Sequence, residues 1–172
     1  MNTSDDTRVG PGWIEPNWRL LLSHPAHLIS FGFGSGLAKI APGTFGTLVA
    51  FPLYWLLAPR LSELYFVLVL VLAFALGVWL CDITGKALGV PDYGGIVWDE
   101  IVSFMLVLFF TPPGWYWSLL AFVLFRIFDI VKPPPISYFD SNWHGGLGVM
   151  FDDLLAAGYT LMCLALLKSA LI

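Results

Sequence analysis

Charge is scarce in this chain of 172 residues: Asp, Glu, Lys and Arg make up 12% of it, against about 25% in a soluble globular domain. Hydrophobic residues reach 58% and the mean hydropathy is +0.81. That balance excludes an ordinary soluble core and points to an integral membrane protein. Basic residues are few as well. Eight Lys and Arg against twelve acids leave a net charge of −4, with no basic patch, so nucleic acid is excluded as an expected partner. Cysteine is nearly absent. Cys81 and Cys163 lie in apolar stretches with neither a metal spacing nor a disulfide framework, and they read as small buried hydrophobes. A basic-then-apolar leader is also missing from the polar residues 1–17, which predicts a protein that is not exported and keeps its spans in the membrane. No internal repeat or low-complexity linker divides the chain. The expectation is one membrane domain over 1–172, with a polar tail at 1–17 and an all-α helical bundle over 18–172.

What is there is long apolar runs. Leu64 to Cys81, LYFVLVLVLAFALGVWLC, carries no charge and as a helix would rise roughly 27 Å, close to the ~30 Å bilayer core. Leu154 to Ile172 is similar, with Lys168 its only charge. Ile101 to Val131 is too long for one span and is broken by TPPG at 111–114, which predicts a helical hairpin turned at Pro112-Pro113. Phe45 to Ala58 is shorter and contains Pro52; it either crosses at a tilt or dips in. Residues 18–33 mix Arg19, His24 and His27 with apolar residues and are expected at the membrane surface. About five transmembrane or membrane-embedded helices result.

Five spans put segments 1–44, 82–100 and 129–153 on one face. Arg8, Arg19, Lys39, Lys86, Arg126 and Lys132 fall on or near it, and Arg60 and Lys168 on the other, so the positive-inside rule makes the first face cytoplasmic. Of the acids, only Glu63 lies elsewhere. Asp99-Glu100 and Asp152-Asp153 would each open a span, where acids cap free amides and oppose the helix dipole. Asp82 and Asp129 would close spans, where the dipole is already negative and capping does not apply. Ion pairing of Asp129 with the flanking Arg126 and Lys132 is one answer. A divalent cation that relieves the repulsion among these acids is another, and oxygen ligands without Cys suit Mg²⁺ or Mn²⁺ better than zinc.

The loops carry further signals. Residues 34–47, GSGLAKIAPGTFGT, combine glycines that admit an anion close to the backbone with Lys39, Thr44 and Thr47 as phosphate donors, although an ordinary turn explains the glycines equally well. No Gly-Lys-Ser/Thr closes the loop, so it is not a Walker A motif. KPPP at 132–135 reads as a rigid exit from a span, and His144 as a loop residue rather than a base.

Taken in order, GSGLAKIAPGTFGT, GGIVWDEIVSF, RIFDIVKPPPI and DSNWHGGLGVMFDDLLAAG resemble the phosphatidylglycerophosphatase A family of bacteria, over Gly34 to Gly158. One departure is Ser103, where a glycine is expected after the Asp-Glu pair. The resemblance implies a Mg²⁺-dependent phosphatase of the inner membrane that converts phosphatidylglycerophosphate to phosphatidylglycerol. Its site would face the cytoplasm and its partners would be the phospholipid substrate and the bilayer, with protein partners left open. Carried onto this chain, the motif residues are Lys39, Thr44, Asp99, Glu100, Arg126, Asp129, Lys132, Asp140, Asp152 and Asp153. Asp99, Glu100, Asp129, Asp152 and Asp153 are expected to hold metal and do chemistry. Lys39, Thr44, Thr47, Arg126 and Lys132 are expected on the phosphate, with Asp82 and Asp140 as further acids. Other phosphatase chemistries are missing. Cys81 is followed six residues on by Ala87 rather than Arg, and there is no Asp-x-Asp pair. A cation transporter would need acids near mid-membrane, and a scaffold would leave the one-sided acids unexplained.

Overall fold

The chain is described here by a computed structural model that covers residues 13–143 and 145–171. Most of the polar tail, with Arg8, as well as His144 and Ile172, lies outside the described residues. Among those described, every regular element is a helix: α1 (Trp18–Ser23), α2 (Pro25–Ser30), a 3-10 segment (Gly32–Leu37), α3 (Pro42–Leu57), α4 (Glu63–Leu88), α5 (Trp98–Phe110), α6 (Trp115–Val131), α7 (Ile136–Asn142) and α8 (Gly146–Leu171).

The expected surface segment is the pair α1 and α2. The Asn17 side chain accepts from the amides of Arg19 and Leu20 to start α1, and His24 accepts from Ala26 to start α2, with Pro25 in the first turn, where its missing N–H costs nothing. α2 sits at the C-terminal end of α4, held by a buried contact of His27 Nδ1 with Thr84 Oγ1 at 3.0 Å and by Thr84 Oγ1 donating to Ser30 Oγ at 3.1 Å, and α1 packs on α2.

α5 is the hub. It packs on α3, α4, α6 and α8, and residues from Asp99 to Leu108 are buried except Leu106. Phe104 meets Phe51 edge-on at 5.3 Å and Phe125 at 5.4 Å, while Phe66 stacks on Phe109 at 5.2 Å. Rings this large supply most of the apolar area removed from solvent in such a core. The turn predicted at 111–114 is present: Thr111 ends α5 in extended geometry and Gly114, at φ 128°, starts α6.

Two helices extend further than their hydropathy implies. α4 continues past Cys81 to Leu88, because Asp82 is neutralised one turn on by Lys86 at 2.6 Å, and it stops where Gly89 adopts the left-handed conformation at φ 75°. α8 begins at Gly146, two turns before Leu154. A Cβ on Gly146 would collide with the Val78 carbonyl of α4, so the bare backbone lets the two helices touch. α4 and α8 are the helices long and apolar enough to cross a membrane. α3, α5 and α6, at 16, 13 and 17 residues, rise roughly 24, 20 and 26 Å, short of a ~30 Å core. The roughly five membrane helices expected from hydropathy, with 45–58 the shortest, are thus two long helices and three shorter ones. Only 28% of the most apolar stretch of α4 is buried, leaving Leu64, Leu68, Leu72, Leu76 and Trp79 exposed.

Candidate metal centre and active site

The start of α5 is fixed by backbone bonds before any side chain is placed. Ile96 N donates to Tyr93 O and Val97 N to Ser30 O, each at 2.8 Å. Trp98 Nε1 donates to Ala73 O of α4 at 3.1 Å. Asp99 and Glu100 follow in the first turn of α5 and are turned inward, each 8% exposed. Asp153, 2% exposed, meets them from the second turn of α8. Asp99, Glu100 and Asp153 each bring a carboxylate oxygen to within 4.8 Å of the others, an arrangement able to hold a metal ion. Asp99 Oδ1, Glu100 Oε2 and Asp153 Oδ2 are all buried with no hydrogen-bond partner among the described residues. Buried polar atoms are nearly always paired, so three such oxygens in one place set this cluster apart from the rest of the core.

Around this trio the remaining acids are paired. Arg126 Nη1 contacts Asp129 Oδ2 at 2.6 Å, Glu100 Oε1 at 3.5 Å and Thr47 Oγ1 at 3.4 Å, and Arg126 Nε is buried without a partner. Thr47 donates back to Gly43 O at 2.8 Å, leaving its lone pairs toward the guanidinium. Gly43 itself faces the site, where any Cβ would strike Glu100 Oε1 and lie 3.0 Å from both Arg126 terminal nitrogens. Lys132 ends α6 in the left-handed region at φ 45°, an uncommon conformation for a residue with a side chain. From there its ammonium reaches Asp140 of α7 and Asp152 of α8, each at 2.5 Å. Burial works to lower the Lys132 pKa, but the Asp152 and Asp140 carboxylates outweigh it and hold the ammonium above its usual range. Asp152 also accepts from the Asp153 amide through Oδ1 at 3.0 Å. The Asp129 charge acts on Asp99, Glu100, Asp152 and Asp153 alike.

The expected site residues therefore fall into three groups. Asp99, Glu100 and Asp153 converge. Asp129, Asp140, Asp152, Arg126, Lys132 and Thr47 form the ion-paired surround. Asp82 does not close a helix as the sequence implied; it lies inside α4 and pairs with Lys86. Lys39 is exposed and lines a cleft of about 290 Å³ with Glu15, Tyr93 and Gly95, and Thr44 is half-buried on the first turn of α3. Asp92 was not singled out from the sequence; it shares a small cleft with Asp140 and Asp152. Its PDYGG context reads as a plain turn, and only the folding of α7 and α8 toward it reveals the proximity.

Fold and site together define a membrane-associated helical protein with a carboxylate centre, flanked by Arg and Lys, at one end of its bundle. A sequence profile described as Phosphatidylglycerophosphatase A matches residues 28–168. Phosphatidylglycerophosphatase A of Escherichia coli K12 is 48% identical over 139 residues, 80% of each chain. The protein of the same name from Haemophilus influenzae is 46% identical over 148 residues, covering 86% of this chain and 91% of the relative. A putative phosphatidylinositol-3-phosphatase of Bacteroides thetaiotaomicron is 40% identical over 149 residues, covering 82% and 92%. No solved structure matches the chain. The chain belongs to the phosphatidylglycerophosphatase A family and is a phosphatase.

Proposed function

We propose that the chain hydrolyses the terminal phosphate of phosphatidylglycerophosphate, giving phosphatidylglycerol and inorganic phosphate, with Mg²⁺ held by Asp99, Glu100 and Asp153. The reaction is the one for which the family and its two closely matched relatives are named. The observation that supports the metal is the unpartnered oxygen on each of the three buried carboxylates. Three like charges in one dry pocket repel, and each loses its hydration; a divalent cation offsets both costs. The all-oxygen donor set fits Mg²⁺ or Mn²⁺ rather than zinc. When bound, such an ion supplies Lewis-acid polarisation of the phosphoryl oxygens and a more acidic water.

The protein's own groups divide the remaining work. Arg126, held by Asp129 and Thr47, keeps its buried Nε uncommitted and would bind a phosphate oxygen with a charge-assisted hydrogen bond. Asp129 fixes that guanidinium. Lys132 neutralises Asp152 and ties α7 to α8, so the adjacent Asp153 enters the trio without a second free charge beside it. Bulk water is restricted by the burial of all three carboxylates, which strengthens every charge interaction in the pocket.

α4 and α8 would cross the bacterial inner membrane, with α3, α5 and α6 embedded beside them in a multi-pass bundle. Trp55, Tyr65, Trp115 and Tyr116 are exposed at the end away from the site and fit an interfacial aromatic belt there. Arg19, Lys39, Lys86 and Lys132 at the site end favour the cytoplasmic side by the positive-inside rule.

The test is phosphate release by the purified protein from phosphatidylglycerophosphate and from phosphatidylinositol 3-phosphate, each with Mg²⁺ or with chelator. Metal-dependent release, faster from phosphatidylglycerophosphate, is expected. Absence of release from both lipids would overturn the reaction, and undiminished release in chelator would overturn the metal while leaving the reaction standing. Preference for the inositol lipid would transfer the assignment to the activity named for the Bacteroides relative.

A further inference from the structure

A cavity of about 210 Å³ lies between α4, α5 and α8, one helical turn along α5 from Asp99. Its walls are Val67, Leu70, Val71 and Phe74 of α4, Val102 and Leu106 of α5, and Leu154 of α8, with Ser103 as its one polar side chain. Two of these residues touch the site through the chain itself. Leu154 follows Asp153 directly, and Ser103 lies one helical turn beyond Asp99, on the same face of α5. Ser103 is 1% exposed and its Oγ has no hydrogen-bond partner among the described residues. A buried hydroxyl on a helix usually donates to the carbonyl one turn back, as Thr47 and Thr160 do here. Ser103 makes no such bond.

We infer that this cavity seats the first part of one acyl chain of the lipid phosphate substrate, with the Ser103 hydroxyl donating to the ester carbonyl at the head of that chain. The inference rests on the lipid-phosphatase reading above and adds how the enzyme holds the diacylglycerol half. Three features select this occupant. The cavity is apolar along its length and polar at Ser103, the order of groups in a lipid read from chain to ester. Its walls include Ser103, one turn from Asp99, and Leu154, next to Asp153, so a chain lying in it has its head group directed toward the carboxylates. It opens beside α4, whose Val71 and Leu72 are exposed, so a chain can enter sideways from the bilayer without leaving apolar surroundings. An ester carbonyl entering such a place needs a donor, since an unpaired polar group in hydrocarbon costs several kcal/mol, and Ser103 is the donor without another bond.

The experiment compares dioleoyl phosphatidylglycerophosphate with its deacylated, water-soluble counterpart. For wild type and variants the readout is the ratio of kcat/KM for the two substrates. Leu106→Trp and Val71→Trp fill the cavity and are expected to lower that ratio about tenfold, through KM for the diacyl lipid. Ser103→Ala is expected to lower it about fivefold, one unpaired carbonyl being worth roughly 1 kcal/mol. Leu72→Trp, on the outward face of α4, is the control for bulk and should leave the ratio as in wild type. A second readout needs no turnover: a phosphonate analogue with a diazirine in one acyl chain should photolabel Val67, Leu70 or Leu106. Labelling confined to outward residues such as Leu72 and Leu76, or an unchanged ratio in both Trp variants, would overturn the inference and leave the cavity as a seam for another helix. If wild type releases no phosphate from either substrate, the parent reading fails, and the photolabel still reports whether the cavity takes a chain.

Discussion

Asp152 and Asp153 are neighbours in sequence and both are buried, yet they belong to different chemistries. Asp152 has both oxygens engaged, one with Lys132 and one with the amide of Asp153. Asp153 keeps Oδ2 buried and unpartnered, facing Asp99 and Glu100. The same contrast separates the trio from its whole surround, where Asp129, Asp140 and Asp152 each have a cation within 2.6 Å. Carboxylates with a cation at close range build the frame, whereas each member of the trio keeps one buried oxygen unpartnered, even Glu100 with its longer 3.5 Å contact to Arg126.

The sharpest break of this comparison is Asp153→Asn against Asp152→Asn. Asp153→Asn should lower kcat on the order of 10²–10³-fold, the scale of losing one preorganised charge at a reacting phosphate, and should lack the rise in Tm expected of the wild-type protein on adding Mg²⁺. Asp152→Asn should cost activity less and leave the Mg²⁺-dependent rise in place. Equal losses of both properties in the two variants would erase the distinction. Lys132→Met should destabilise by about 2 kcal/mol, below the 3–5 kcal/mol of a fully buried pair because the lysine keeps some water contact, and Lys132→Met with Asp152→Asn should recover part of that in a double-mutant cycle of thermal unfolding. Gly43→Ala should push Glu100 and Arg126 apart and reduce kcat roughly tenfold with little change in Tm, an effect of misplacement rather than unfolding. The smallest effect belongs to Asp82→Asn. Its pairing with Lys86 is a solvent-exposed contact between residues one turn apart, worth about 0.3–0.5 kcal/mol, so activity and Tm should both stay near wild type.

How much of this was readable beforehand follows the same division. The helical class, the hairpin turned at 111–114 and the gathering of acids toward one end came from hydropathy and proline placement, which are local properties. The ends of α4 and α8 did not. A hydropathy window treats Asp82 and Asp152 as boundaries, whereas in the fold each charge has a partner and the helix continues through it. For Asp152-Asp153 this removes the capping explanation altogether, since α8 starts at Gly146. Gly43 looked like part of an anion loop; its importance lies in what it leaves room for, and that depends on Glu100 and Arg126 arriving from two other helices. Ser103 was visible only as a departure from the family pattern, and the cavity that gives it meaning is built from three helices. Long-range pairing of this kind leaves little trace in the order of residues along the chain.

The Lys132 clamp has a consequence for α8 as a rotor. Successive residues on a helix point about 100° apart, so a turn of α8 about its own axis by one residue would swap Asp152 for Asp153 at the trio. The close seat of Gly146 on the Val78 carbonyl already opposes such slippage at the start of α8, and the clamp adds a second hold nearer the trio. The ammonium, anchored to α7 through Asp140 and gripping Asp152 from the side, acts as an angular detent: it sets which of two identical side chains is turned toward Asp99 and Glu100.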